Sequence, residues 1–405
     1  MRLDDDDKKM LNGDMGPAKK MGMEMLVAIG KIYGAEKLIP IKSAHVAGLS
    51  LRSHGIAGME WIEDIARKGA QVVVPTTCNV VGIDRTRDLG LPKDWCEYQD
   101  RIGKGYENCG CYYSSSCVPY YHGFVPRYGE SIAWAESSAV VFTNAYLGAK
   151  DNREGGPSAF AAALCGKTPY YGYHIDENRK GQVLFKVTAP IKDLADIGAM
   201  GAYVGTVIGT RNPAFEGVGL DWRPEDHAYL SAALASSGGA AIYHILGVTP
   251  EAVIQGKGIL SKDCEVVELG PAELAKGYKK LTSNTDSVVD YVSIGCPHLT
   301  LNQIAEVAKE LQGKKVKVRT WIHTNVPIKA LAVQLGYAKI IEESGAILTQ
   351  DLCTVLSIPE ELGLKSLATN SAKMAFYAPG SNRLNTWYGS LKNCIAAAVT
   401  GRWNV

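Results

Sequence analysis

No run of apolar residues in this 405-residue chain reaches the roughly 18 that a membrane-crossing helix needs. The opening MRLDDDDKKMLNGDMG is acidic and has no apolar core, so it does not read as a secretory signal, and a cytoplasmic protein is expected. A bulk charge of either sign is missing as well. Lys and Arg together number 43 against 42 Asp and Glu, which leaves no electrostatic case for a nucleic-acid or membrane partner. Several chemical signatures are absent too: the chain has no Walker-type loop, dinucleotide fingerprint, HExxH, GxSxG elbow or CxxC pair. Internal repeats and low-complexity tracts are also lacking, which excludes a solenoid and an interaction tail.

The chain does contain 46% hydrophobic and 21% charged residues, the balance of a globular protein, over a length that suggests two or three α/β units rather than one core. Helical and strand patterns alternate almost throughout, which predicts mostly parallel sheets flanked by helices. Helices are expected over 21–33, 59–68, 301–312 and 327–344. Strands are expected over 37–44, 70–79, 316–323, 346–350 and 366–369, with another running to Ile294. Asp4 to Asp7 should form the solvated first turn of an amphipathic helix. Residues 106–131 are rich in Gly, Ser, Tyr and Cys and have no period; a loop this long is usually functional. Residues 132–147 read as a buried helix or tightly packed segment. A boundary is placed in the polar LTSNTDS, giving an N-terminal α/β region over 1–284, divisible into two subdomains, and a C-terminal α/β domain over 285–405.

Ten cysteines in a cytosolic protein are not a disulfide framework; they are core thiols, metal ligands or a nucleophile. Cys296 lies in a turn between a buried strand and a helix opened by the Thr300 and Gln303 capping pair, and ligands of open α/β sheets bind at such turns. Cys353 follows another short strand in the same way. A third thiol could come from Cys109, Cys111 or Cys117 in the aperiodic loop. Three thiolates suit a zinc site or a four-iron, four-sulfur cluster with one open iron. His298 could be a ligand, a base or a local hydrogen-bonding residue, and His45 stands at another strand end. The amides of Gly48, Leu49 and Ser50 could cradle an anion or simply form a turn. Glu136 and Ser137, in an apolar context, must be paired or functional. Lys150, Asn152 and Arg153 could clamp a carboxylate, and Lys373, near a predicted helix start, could hold a phosphate or snorkel.

Taken in order, SAHVAG, PTTCNVVGID, SSSCVPYYHGF, WAESSAVVFTNAYLGAKDNREGG, SIGCPHLT, QDLC, NSAKMAFY and GSLKNCIAAAVTGRW resemble the large subunit of the aconitase X family over nearly the whole chain. The resemblance implies an aconitase-superfamily multidomain α/β fold and a hydro-lyase. It also implies Cys117, Cys296 and Cys353 as ligands of a 4Fe-4S cluster or a smaller iron centre, with Cys109 and Cys111 accessory. Gly48, Leu49, Ser50, Asn79, Val80, Glu136, Ser137 and Lys373 are the substrate-binding expectations. The family's proton-abstracting serine belongs to a small swivelling domain whose glycine- and serine-rich loop is not found before the terminal VTGRWNV, so a small-subunit partner is expected to supply the base. The implied substrate is (R)-5-phosphomevalonate, dehydrated to trans-anhydromevalonate 5-phosphate in a modified mevalonate pathway; cis-3-hydroxy-L-proline is the alternative. Both carry a hydroxyl β to a carboxylate. A non-catalytic metal-stabilised scaffold and a metal-free thiol enzyme are the rival readings.

Overall fold

A computed structural model of the chain describes residues 1–404. In the N-terminal part, β1 (Leu38–Pro40) precedes β2 (Ala44–Val46), β3 (Thr76–Cys78) and β4 (Ala133–Trp134), and β5 (Lys167–Pro169) pairs antiparallel with β1. Strands β2, β3 and β4 form a parallel sheet in the order β3-β2-β4. The middle holds a second parallel sheet of β6 (Gly181–Val187), β7 (Pro213–Glu216), β8 (His244–Ile245) and β9 (Leu260–Leu269), ordered β8-β7-β6-β9. The C-terminal part holds a third, of β10 (Tyr291–Ile294), β11 (Arg319–Thr324), β12 (Ile347–Gln350), β13 (Ser366–Thr369) and β14 (Asn385–Tyr388), ordered β12-β11-β10-β13-β14. Every pairing within these three sheets is parallel, and helices connect most of the strands, as the alternating pattern predicts.

Local chemistry accounts for the elements. Helix Leu301–Leu311 begins at the expected capping box: Thr300 N–H donates to Gln303 Oε1 at 3.0 Å and Gln303 N–H to Thr300 Oγ1 at 3.4 Å. Its Ile304, Val307, Ala308 and Leu311 are buried in one core with Val292, Ile294, Ile322 and Leu348 of the sheet. Burial of each large side chain there contributes roughly 1.5–3 kcal/mol. The acidic N-terminus forms helix Asp5–Asn12, with Asp4 and Asp7 capping each other's backbone N–H groups.

Four expected elements differ. The strand over 37–44 divides into β1 and β2, which pair in different sheets. The strand over 70–79 pairs within the sheet only at β3, because Pro75 has no N–H for a ladder and Val73 N–H donates instead to Ala163 O at 2.9 Å. The helix expected from Met59 starts at Leu51 and breaks at Gly55, where φ is 64°. The helix over 327–344 divides at Gly336, whose φ of 80° no helix accommodates, into Val326–Gln334 and Tyr337–Glu343.

The strand orders locate the functional region. In the first sheet the chain steps from β2 outward to β3 and then returns to place β4 on the other side of β2. In the third it steps from β10 to β11 and β12, then returns to β13 and β14. Each reversal leaves a crevice at the carboxyl ends of the strands, the place where open α/β sheets bind ligands. The two crevices face one another. Val81 N–H donates to Asp351 O and Cys353 N–H to Val81 O, both at 2.9 Å, joining the loop after β3 to the loop after β12. No helix among the described residues is long and apolar enough to cross a membrane.

Candidate active site

Between the facing crevices lies a cavity of about 310 Å³. Its wall is built from loops that leave strand ends: Ala47 and Gly48 after β2, Asn79 and Val80 after β3, Ala135 to Ser138 after β4, Gly295 to His298 after β10, Cys353 after β12, and Lys373 in the helix that follows β13. Cys117 reaches the same wall from the aperiodic loop, which Ser114 Oγ and Ser116 N–H tie to Cys78 O at 2.9 and 3.2 Å.

Of the sequence-predicted residues, Gly48, Asn79, Val80, Glu136, Ser137, Lys373, Cys117, Cys296 and Cys353 line this one cavity. Leu49 and Ser50 do not. Leu49 is buried in the core, and the Ser50 side chain accepts from Arg52 N–H at 3.2 Å to cap helix Leu51–Arg67 while donating to Leu356 O at 2.7 Å. The backbone N–H groups of Gly48, Leu49 and Ser50 nevertheless take no acceptor among the described residues. Lys150, Asn152 and Arg153 lie outside the cavity: Lys150 pairs with Asp176 at 2.5 Å, and Asn152 Oδ1 accepts from Tyr173 N–H at 2.8 Å. Cys109 and Cys111 are buried elsewhere in the same core as Cys78. His45 is fully buried with Nδ1 bonded to Thr77 Oγ1 at 2.7 Å.

The polar groups of the cavity form one network. Lys373 Nζ donates to Glu136 Oε1, to Ser137 Oγ at 3.2 Å and to Ser138 Oγ at 3.5 Å. Asn79 Nδ2 donates to Glu136 Oε2 at 2.7 Å, and Ser138 gives Oε1 both its hydroxyl, at 2.8 Å, and its N–H, at 3.2 Å. Burial by itself would raise the Glu136 carboxyl, but the Lys373 charge and the hydrogen bonds of Lys373 and Ser138 outweigh it and hold the group at about 2. Burial opposes the Lys373 charge in turn, yet Glu136 and the Cys296 thiolate keep its ammonium well above the usual lysine range. Asn79 Oδ1 and His45 Nε2 are both buried without a closed hydrogen bond, and the two side chains are neighbours.

The thiols divide by charge. The neighbouring Cys353 thiol lowers the Cys296 thiol against its burial, with help from the Lys373 charge, and the same neighbour pushes Cys353 up. Burial and the nearby Glu136 charge raise Cys117, whose sulfur accepts His298 N–H at 3.3 Å. The His298 ring is held through Nε2 on Leu352 O at 3.0 Å and leaves Nδ1 buried without a partner, while its main-chain N–H meets Cys117. Cys296 is brought to the wall by a turn that only glycine can make: Gly295 has φ 112°, and a Cβ there would lie 2.4 Å from His323 O. The Cys296–Pro297 peptide is cis, and Ser371 Oγ, which also caps helix Ala372–Asn382, donates to Cys296 O.

Among the described residues no cluster of three Cys, His, Asp or Glu closes around a single metal ion. Three cysteines spread around one cavity, one of them lowered beside a lysine, fit a larger thiolate-bound group instead. Sequence reading missed Ser53, Ser138, Tyr377 and Ser381 on this wall. Tyr377 stands four residues after Lys373 on one helix, a spacing that could have revealed it. Ser138 has no comparable sequence signal.

Three family models match in succession: the aconitase X first domain over residues 1–177, the second domain over 181–279 and the third domain over 289–400. The phosphomevalonate dehydratase large subunit of Methanocaldococcus jannaschii is 39% identical over 403 residues, 98% of this chain and 99% of that protein. The cis-3-hydroxy-L-proline dehydratase of Pseudomonas aeruginosa is 32% identical over 99% of this chain and 70% of its own length. The crystal structure of Thermococcus kodakaraensis aconitase X in its holo form superposes with a TM-score of 0.90 at 39% identity, covering 98% of this chain and all of that one.

Proposed function

The chain belongs to the aconitase X family, and from that membership we propose that it is the large subunit of a cytoplasmic hydro-lyase that removes water from (R)-5-phosphomevalonate to give trans-anhydromevalonate 5-phosphate. The observation that carries this reading is the convergence of Cys117, Cys296 and Cys353 with the Glu136–Lys373 pair on one cavity at two sheet switch points.

The three cysteines would hold an iron–sulfur centre, with a 4Fe-4S cluster as the form three ligands suit. When bound, that group supplies a Lewis acid for a hydroxyl that departs as water. The chain's own residues bind and orient the substrate. The free amide of Gly48 and the Lys373 ammonium offer a donor and a charge to an anionic end. Asn79, fixed through Nδ2 and next to His45, offers Oδ1 as an acceptor for a hydrogen bond from a substrate hydroxyl. Glu136, held at about 2 with both oxygens engaged, is a poor proton acceptor and serves to hold Lys373 and Asn79 in register. The His298 ring, kept neutral by burial, is held through Nε2 on Leu352 O and leaves Nδ1 without a partner. The base on the small subunit therefore rests on the family resemblance and on relatives named as large subunits.

The chemistry of the cavity also weighs between substrates. An amino acid such as cis-3-hydroxy-L-proline needs an anionic partner for its ammonium, and the one carboxylate on this wall is already committed to Lys373. Five relatives named phosphomevalonate dehydratase large subunit are 33–40% identical, four of them 38% or more, against 32% for the two hydroxyproline dehydratases. Anaerobic reconstitution with iron and sulfide tests the proposal. A brown chromophore and dehydratase activity that appear together and vanish together in air support it. Colourless, zinc-bound protein, or activity that survives chelation and is abolished by alkylating one cysteine, overturns it.

A further inference from the structure

The neighbours Asn79 and His45 differ in their access to the catalytic cavity. Asn79 lines it, whereas His45 stands behind the wall, since Ala47 and Gly48 are the members of its segment that reach the cavity. Both side chains are almost wholly removed from water, at 3% and 0% exposure, so an unmet donor or acceptor on either would be costly.

The backbone explains why they meet. Val46 O accepts Asn79 N–H at 2.9 Å, and His45 O accepts Ala135 N–H at 2.8 Å, one residue before Glu136. The end of β2 is thereby stitched to both segments that carry the Asn79–Glu136 bond. The imidazole itself is held by Trp134, whose ring centre lies 5.7 Å away, and by Thr77 Oγ1, 2.7 Å from Nδ1.

Hydrogen-bond accounting fixes which ring nitrogen carries the proton. Burial lowers the His45 imidazole to about 4 against the pull of the Glu136 charge, so at neutral pH the ring is uncharged and has one N–H. The Thr77 hydroxyl has no partner but His45 Nδ1 among the described residues. A proton on Nδ1 would strand the Thr77 hydroxyl proton and leave a bare Nε2 beside the Asn79 oxygen. A proton on Nε2 serves every group: Thr77 O–H donates to Nδ1, and Nε2–H is a donor for Asn79 Oδ1.

An amide has a donor end and an acceptor end of almost the same shape. The Glu136 carboxylate demands the donor end of Asn79, at 2.7 Å, and the His45 N–H demands the acceptor end. A flip would set oxygen against carboxylate and N–H against N–H.

We propose that His45 is a positioning residue for the dehydration: in the Nε2–H tautomer set by Thr77 it holds the Asn79 amide in one direction, so that the second lone pair of Oδ1 serves the substrate hydroxyl. This role rests on the function proposed above, in which Asn79 meets that hydroxyl. His45 reaches the substrate only through Asn79, and the same constraint passes through Glu136 to Lys373.

Two measurements on the two-subunit enzyme test the proposal: kinetics with whichever β-hydroxy acid it dehydrates, and assignment of the His45 tautomer by ¹⁵N NMR of histidine-labelled large chain. The spectroscopic part needs no turnover, so its result is independent of the substrate assignment. His45→Phe keeps a ring against Trp134 and removes both nitrogens; kcat should fall about tenfold, with KM little changed because Gly48 and Lys373 hold the anionic end. His45→Gln returns an N–H to Asn79 and should recover most of the loss. Thr77→Val removes the donor to Nδ1; it should lower kcat by itself and change nothing further when combined with His45→Phe. The His45 signals, identified by their loss in His45→Gln, should be those of a neutral ring protonated at Nε2. Wild-type kcat in His45→Phe, an equal fall in the Phe and Gln variants, or a ring protonated at Nδ1 overturns the proposal. Where His45→Phe does not fold, Thr77→Val and the tautomer decide, and an unchanged kcat or an Nδ1–H ring overturns it.

Discussion

Asn79 Nδ2 donates to Glu136 Oε2 at 2.7 Å while Lys373 Nζ occupies the other carboxylate oxygen. One buried carboxylate thereby fixes an amide from the first sheet and an ammonium from the third. The clamp sets the direction of Asn79 Oδ1 and keeps Lys373 at the cavity wall, two things a substrate with a hydroxyl and an anionic end requires.

Glu136→Gln should therefore impair turnover far more than metal binding. Loss of the carboxylate leaves the Lys373 charge buried without its partner, which costs about 3–5 kcal/mol of stability, and frees both orienting groups. A fall in kcat on the order of 100-fold or more is expected, with iron content per chain unchanged. Steady-state kinetics and iron analysis on the same preparation check this; an iron content that falls in step with kcat would contradict the orienting role.

The same pair governs acid stability. The Glu136 carboxyl lies at about 2 in the fold against an ordinary value of 4.5. A group lowered by folding stabilises above its unfolded value and loses that contribution as the pH falls toward and through its folded one. The contribution is on the order of 3 kcal/mol and should be fully present above about pH 5. Urea unfolding at stepped pH should show the loss in the wild-type protein and a flatter profile in Glu136→Gln. Parallel profiles would mean that the pair does not govern the acid limb.

Single replacements of Cys117, Cys296 and Cys353 by Ser should each lower bound iron and abolish turnover, whereas Cys109→Ser and Cys111→Ser should retain both. Visible absorbance after anaerobic reconstitution gives the readout. Full colour in Cys117→Ser would remove that residue from the ligand set.

Gly295→Ala should be destabilising by about 2 kcal/mol or more, since φ is 112° and the added methyl would meet His323 O. Colour on reconstitution should fall with stability, because this turn presents Cys296. Thermal unfolding and absorbance of the variant test both statements together.

Local features of this fold were legible and long-range ones were not. The helix over 301–311 could be read because its capping box and apolar stripe lie within a dozen residues. The break at Gly336 could not be told from a tolerated glycine, and the stretch before Pro75 looked like a strand because its valines carry the pattern while its hydrogen bonds go elsewhere. In the site, the apolar context flagged Glu136 as a carboxylate that must be paired or functional, and Lys373 separately as a lysine that holds a phosphate or snorkels. Their pairing spans 237 positions, and no spacing rule reaches that far. Pattern left Cys109, Cys111 and Cys117 as competitors; the fold brings Cys117 to the cavity because Ser114 and Ser116 bind the loop to Cys78 O. His298 reads as a ligand, a base or a local hydrogen-bonding residue; in the fold its N–H meets Cys117 and its Nε2 meets Leu352 O, contacts across 181 and 54 positions that no spacing rule reaches.

The most direct test of the whole account is a substrate comparison on the reconstituted two-chain enzyme. The large chain, co-purified without oxygen with its small partner, is supplied in parallel with (R)-5-phosphomevalonate and cis-3-hydroxy-L-proline, and products are identified by mass. The account predicts a product lighter by one water from phosphomevalonate, none from hydroxyproline, and none from the large chain alone. Dehydration of hydroxyproline but not of phosphomevalonate would contradict the substrate assignment, and turnover by the large chain by itself would contradict a base held on a second subunit.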